Sequence, residues 1–112
     1  MKLEIPTKRQ IDICKKYGSR VIPYSLEDMV AVALETIDKS PIVGMRYILD
    51  AGDNVSWFFY CGENSDDDDF YRTMHVGHLG EFVPEVIDYL CLEPGYRFVI
   101  DREGYEDVWK SA

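Results

Sequence analysis

The side chains equipped for chemistry fall into three groups. His75 and His78 stand three residues apart with carboxylates nearby in the chain, a pair that would share a divalent ion if both rings converged. On a strand end followed by a glycine turn they need not converge, and neither Cys61 nor Cys91 has a neighbour at ligand spacing, so ordinary, partly exposed histidines are expected. Glu63, Asp66, Asp67, Asp68 and Asp69 form the second group. Hard cations take several oxygen ligands, but an EF-hand loop alternates its donors around a central glycine and closes with a distal glutamate, whereas these aspartates are adjacent and repel one another. The stretch reads as a solvated acidic turn or, because it issues from an aromatic strand, as an acidic contact surface. Third is Glu63 taken alone beside Tyr60, where an apolar wall would raise its pKa towards acid–base work. No second catalytic group can be set against it from sequence. A Walker loop, a dinucleotide glycine fingerprint, a paired-cysteine zinc spacing and a nucleophile elbow are all missing from the sequence. No catalytic residue, metal ligand or cofactor is therefore assigned.

The element that must position the acidic stretch is the run 55–63, Val-Ser-Trp-Phe-Phe-Tyr-Cys-Gly-Glu. As a strand it alternates Val55, Trp57, Phe59 and Cys61 on one face with Ser56, Phe58, Tyr60 and Gly62 on the other. Both faces are largely apolar, which predicts a central strand with something packed on each side, the second cover being a partner. Trp57 is expected in the core, and Phe58 and Tyr60 are the surface candidates.

Upstream, Thr7 followed by Gln10 has capping-box spacing, and Gly18 supplies an end, so a helix is expected over residues 8–17. Leu26, Met29, Val30, Ala33, Leu34 and Ile37 recur at helical spacing behind a Ser25 cap, predicting a second helix closed by Ser40-Pro41, with Met29 in the core. Period-two alternation over 42–50 gives a strand, and Ala51-Gly52-Asp53-Asn54 a hairpin turn into the central strand. A third strand over 70–76 completes an antiparallel meander. Val83, Val86, Ile87 and Leu90 behind Pro84 predict a third helix to about Cys91. Strands follow over 96–101 and, more briefly, around 105–109. The expected fold is a single α+β domain over residues 1–112: an antiparallel sheet of four to five strands, two N-terminal helices, and one helix inserted before the last strands.

The chain has 112 residues, 46% of them hydrophobic, enough for one core and too few for two ordinary domains. Its formal charge of -9 repels phosphate backbones and anionic membranes, so nucleic acid and membrane are excluded as partners and a basic or neutral protein is favoured. Cys14, Cys61 and Cys91 are odd in number, far apart and set in apolar patterns without a secretory signal, which fits reduced, buried thiols in a cytoplasmic protein. Oligomeric state is not readable from the sequence.

The segment Val43-Gly44-Met45-Arg46-Tyr47, then Ser56-Trp57-Phe58-Phe59 and Gly62-Glu63 before an acidic stretch, resembles immunity protein family thirty-three, long described as a domain of unknown function. Pro84, Ile87, Leu90, Gly95, Phe98 and Asp101 continue the resemblance, which covers residues 42–104. It implies a bacterial protein that neutralises a toxin by binding it, and no catalytic residues. Resemblance and charge together lead to a non-enzymatic binding protein whose contact surface is Phe58, Tyr60, Glu63, Asp66, Asp67, Asp68 and Asp69. A basic toxin cleft is its natural complement. The alternative is a small-molecule-binding or enzymatic domain with a pocket where the sheet meets the third helix, using Glu63, His75 and Arg46.

Overall fold

A computed structural model describes residues 5–49, 55–67 and 69–111. The chain folds as α+β around one mixed six-stranded sheet, with elements in the order α1 (Lys8–Lys16), β1 (Met29–Val32), β2 (Ile42–Arg46), β3 (Val55–Cys61), β4 (Arg72–His75), β5 (Tyr96–Ile100) and β6 (Glu106–Lys110). Helix α1 begins with the expected capping box: Thr7 Oγ1 accepts from the Gln10 amide at 3.2 Å, and Gln10 Oε1 accepts from the Thr7 amide at 2.8 Å. Gln10 itself is buried, and its Nε2 donates to Tyr24 Oη and the Ile87 carbonyl, which ties α1 to two distant segments.

The expected second helix is a correction. Residues 29–32 form strand β1, and only Leu34–Thr36 turn helically, as a short 3-10 helix. Val30, Ala31, Val32 and Ala33 are all at most 1% exposed, while Leu26, the first member of the supposed helical stripe, is 43% exposed. The physical reason lies in the continuous apolar run: a strand buried on both faces needs no alternation, and its β-branched Val30 and Val32 suit a strand better than a helix. An unbroken apolar run contains members at helical spacing whatever its conformation.

Strand order is β4-β1-β3-β2-β5-β6, which overturns the three-strand antiparallel meander, because β4 pairs with β1 and not with β3, and replaces the expected antiparallel sheet of four to five strands with a mixed one of six. β1 enters between β3 and β4 and runs parallel to β3, with Val30 opposite Trp57 and Val32 opposite Phe59. The other pairings are antiparallel, including the expected β2–β3 pair, where Gly44 faces Phe59 and Arg46 faces Trp57. The hairpin turn expected at Ala51, Gly52, Asp53 and Asn54 lies outside the described residues. Strand β2 ends at Arg46 and β4 covers only Arg72–His75, both shorter than expected. In place of a third α-helix stand two 3-10 helices, Val76–Glu81 and Pro84–Tyr89; the predicted apolar face is right, since Val83, Val86 and Leu90 are buried, but the backbone is wound more tightly.

Register fixes the two faces of the sheet, because paired residues share a side. Val30, Val32, Ile42, Trp57, Phe59, Cys61, Phe98, Ile100 and Val108 point to one side, where Cys14 of α1 and Leu79, Val83, Val86, Tyr89 and Leu90 close the core over them. Trp57 stacks on Phe59 with centroids 5.4 Å apart, and its Nε1–H donates to the Leu90 carbonyl at 3.2 Å. Gly44 is required by that packing: a Cβ there would lie 2.2 Å from the Phe98 ring. Among the described residues no helix covers the opposite side, where β3 carries Phe58 and Tyr60. Met29 is half-buried, short of the core position expected of it.

Candidate surface on the open sheet face

The uncovered side of the sheet carries an aromatic ladder. Phe58 on β3 meets Tyr47, just beyond β2, edge to face at 5.4 Å and Tyr71, just before β4, at 5.3 Å. Tyr71 meets Phe70 at 4.9 Å, and Phe70 lies 6.3 Å from Tyr60. Five rings thus run continuously from one end of β3 to the other, held in the staggered and edge-on arrangements that ring quadrupoles favour. They partly cover Ala31 and Met45 beneath them, while Phe58 and Tyr60 remain half-exposed and Tyr47 is 42% exposed. Burial, followed by the neighbouring Tyr47 and Tyr60, pushes the Tyr71 hydroxyl up to about 12, so it is a neutral donor at physiological pH.

The acidic stretch leaves β3 through Gly62, which has a φ of +77° and so takes the left-handed turn that a side chain would resist. The loop is shaped by its own short polar groups: Asn64 Oδ1 accepts from the Ser65 amide at 2.8 Å, Ser65 Oγ from the Asp67 amide at 3.1 Å, and Asp67 Oδ1 from the Asp69 amide at 3.0 Å. Such bonds leave the remaining carboxylate oxygens of the exposed Glu63, Asp66, Asp67 and Asp69 to solvent. With Glu35, Lys39, Phe70 and Arg72, three of these four, Glu63, Asp67 and Asp69, line an open concavity of about 660 Å³. Phe70 joins this acidic concavity to the aromatic ladder. Asp68 lies outside the described residues.

The pocket of the alternative reading does not assemble. Arg46 sits opposite Trp57 near the start of β3, and Glu63 follows the end of that strand. His75 pairs with Met29 on the outer strand β4. Arg46 instead donates through Nη1 to the Leu90 and Leu92 carbonyls, with its guanidinium 5.8 Å above the Trp57 ring. Burial lowers its pKa from the ordinary arginine value, and its buried Nε finds no partner among the described residues. His75 and His78 have ring centroids 6.2 Å apart and are exposed; among the described residues no cluster of three histidine, cysteine or carboxylate side chains is placed to hold a metal. The three thiols are free and buried, Cys91 being pushed up to about 11 by burial, which keeps it protonated and unreactive.

Sequence reasoning places Phe58 and Tyr60 on the face of β3 opposite Trp57, as the structure does, but misses Tyr47, Phe70, Tyr71, Met45 and Arg97, which share that face. The alternation of Val43, Met45 and Tyr47 is visible in the chain; which side it faces depends on pairing with β3 and β5. No curated protein and no solved structure is detectably similar to the chain. A family model described as the Imm33-like domain matches residues 9–111.

Proposed function

Because the chain belongs to the Imm33-like domain family, we propose that it is an immunity protein that neutralises a bacterial toxin by binding it, without catalysis, through the open sheet face and the acidic loop. The observation that carries this reading is the continuity of two unlike surfaces: a partly exposed aromatic ladder, and an acidic concavity that shares Phe70 with it. Half-exposed rings held rigid by one another lose little entropy on being covered, and they are the side chains from which binding hot spots are most often made. Carboxylates beside them favour a basic partner, and a toxin that cuts nucleic acid carries a basic cleft for its polyanionic substrate. In this reading the contact residues are Phe58, Tyr60, Glu63, Asp66, Asp67, Asp68 and Asp69, and the protein acts in the cytoplasm of the toxin-producing cell. Among the described residues no helix is long and apolar enough to cross a membrane.

The test is co-expression with a toxin domain encoded immediately upstream. Wild type should restore growth and co-purify with the toxin, while a folded Phe58→Ala/Tyr60→Ala variant should do neither. Undiminished protection by that variant would contradict the assignment of the open face.

A further inference from the structure

The open face has two unlike ends. At the end away from the acidic loop, Tyr47, Ile48, Gly95, Arg97 and Ser111, with Arg46, line a recess of about 150 Å³. Its walls are apolar and accessible, with Ile48 76% and Tyr47 42% exposed, and Trp109, 40% exposed, stands directly opposite Arg97 in the β5–β6 register. The Arg97 guanidinium lies 5.7 Å over the Tyr47 ring, and its Nη1 reaches Met45 Sδ at 3.7 Å. None of the ion pairs among the described residues includes Arg97 or Arg46, although the chain has 21 acidic residues for 12 basic ones. An acidic protein has thus placed one arginine, Arg97, at a recess of its exposed face, held by a ring and a thioether, while the side chain of Arg46 shares the covered side with Trp57.

Resting on the reading of this face as the binding surface, we propose that the recess at Arg97 receives a carboxylate of the partner, an aspartate, a glutamate or a chain terminus with an apolar neighbour, and so fixes the orientation in which a basic partner docks. A guanidinium already oriented on an aromatic face has little rotamer entropy left to lose, and its fork matches a carboxylate's two oxygens. The two ends then divide the labour. Acidic-loop carboxylates attract cations from a distance, and Arg97 rejects any docking that turns the partner end for end. A second copy of this chain is the poorer occupant, because each copy brings a charge of -9 to the contact.

The recess can be probed without the toxin. N-acetyl-phenylalanine and its amide are titrated into the folded chain while amide resonances of Tyr47, Ile48, Gly95 and Ser111 are followed by NMR. The acid should give saturable shifts at millimolar concentration, at least tenfold weaker with the amide and with Arg97→Gln, and partly restored in Arg97→Lys. Equal shifts with acid and amide, persistence in Arg97→Gln, or no saturation would overturn the proposal. Failure here leaves the immunity reading standing if the toxin still binds through Phe58 and Tyr60. A carboxylate site on a chain that captures no toxin would instead uphold the recess and contradict the immunity reading.

Discussion

Glu106 shows how single side chains hold the covered side of the sheet together. Its carboxylate accepts from Tyr17 Oη and Tyr89 Oη, each at 2.5 Å, and from Lys16 Nζ at 2.8 Å, so β6, α1 and the 3-10 helix Pro84–Tyr89 meet at one charge. Burial alone would raise its pKa, but the hydrogen bonds from Lys16, Tyr17 and Tyr89 more than offset that, and the carboxyl is held below the ordinary glutamate value. A depressed folded-state pKa contributes stability above the unfolded value, about 4.3, that is lost as pH falls through the folded value. Thermal melts should therefore decline below about pH 4.5, and Glu106→Gln should flatten that decline while lowering stability at pH 7 by about 1–3 kcal/mol. An equally steep acid decline in the variant would show that Glu106 does not set it. Trp57 works by packing: it is 3% exposed, and Trp57→Ala should cost about 3–5 kcal/mol in a urea melt. A variant that melts like the parent yet loses its partner would make Trp57 a contact residue instead.

Gly44 exists for the strand beside it. It faces Phe59 on one neighbour and Phe98 on the other, and the Phe98 ring occupies the space where a side chain at 44 would stand. Gly44→Ala should destabilise by about 1–3 kcal/mol through overpacking, and Phe98→Leu should recover part of that loss in the double variant, measured by denaturant melts. Additive losses would mean that the ring is free to move aside. Local signals of this kind explain which elements are legible in the sequence. The capping box of Thr7 and Gln10, the alternation of β2, β3 and β5, and the coming together of β2 with β3 all rest on residues close in the chain. β1 is not legible in that way, because Met29 to Ala33 is apolar without a break, a pattern that a buried strand and a buried helix share; β-branched Val30 and Val32 lean towards the strand, and its insertion between β3 and β4 fixes it. The candidate surface is half legible for the same reason. Phe58 and Tyr60 follow from the alternation of one strand, whereas Tyr71, Phe70 and Arg97 join them through pairings that no local pattern announces.

At the scale of the whole molecule, the sheet divides labour between its sides: core and helices on one, an aromatic face between an acidic end and an arginine end on the other. Charge and aromatics should separate kinetically. Exposed aspartates act over about a Debye length, roughly 8–10 Å near physiological salt, so replacing Asp66, Asp67, Asp68 and Asp69 by asparagine should slow association with a cognate protein partner severalfold and flatten its salt dependence, leaving the fold intact. Tyr60→Ala should instead raise the dissociation rate, by tenfold or more if the ring is a desolvated anchor. Stopped-flow or surface-binding kinetics at two ionic strengths distinguish these effects, and an unchanged association rate at low salt would reduce the loop to a solvated turn. The most direct test of the central claim, that the open sheet face is what the toxin covers, is hydroxyl-radical footprinting of the complex. Phe58, Tyr60, Phe70 and Tyr71 should be protected on binding while Ile13 and Tyr17 on the helical side keep their free-state labelling; protection of the helical side with the ladder still labelled would contradict it.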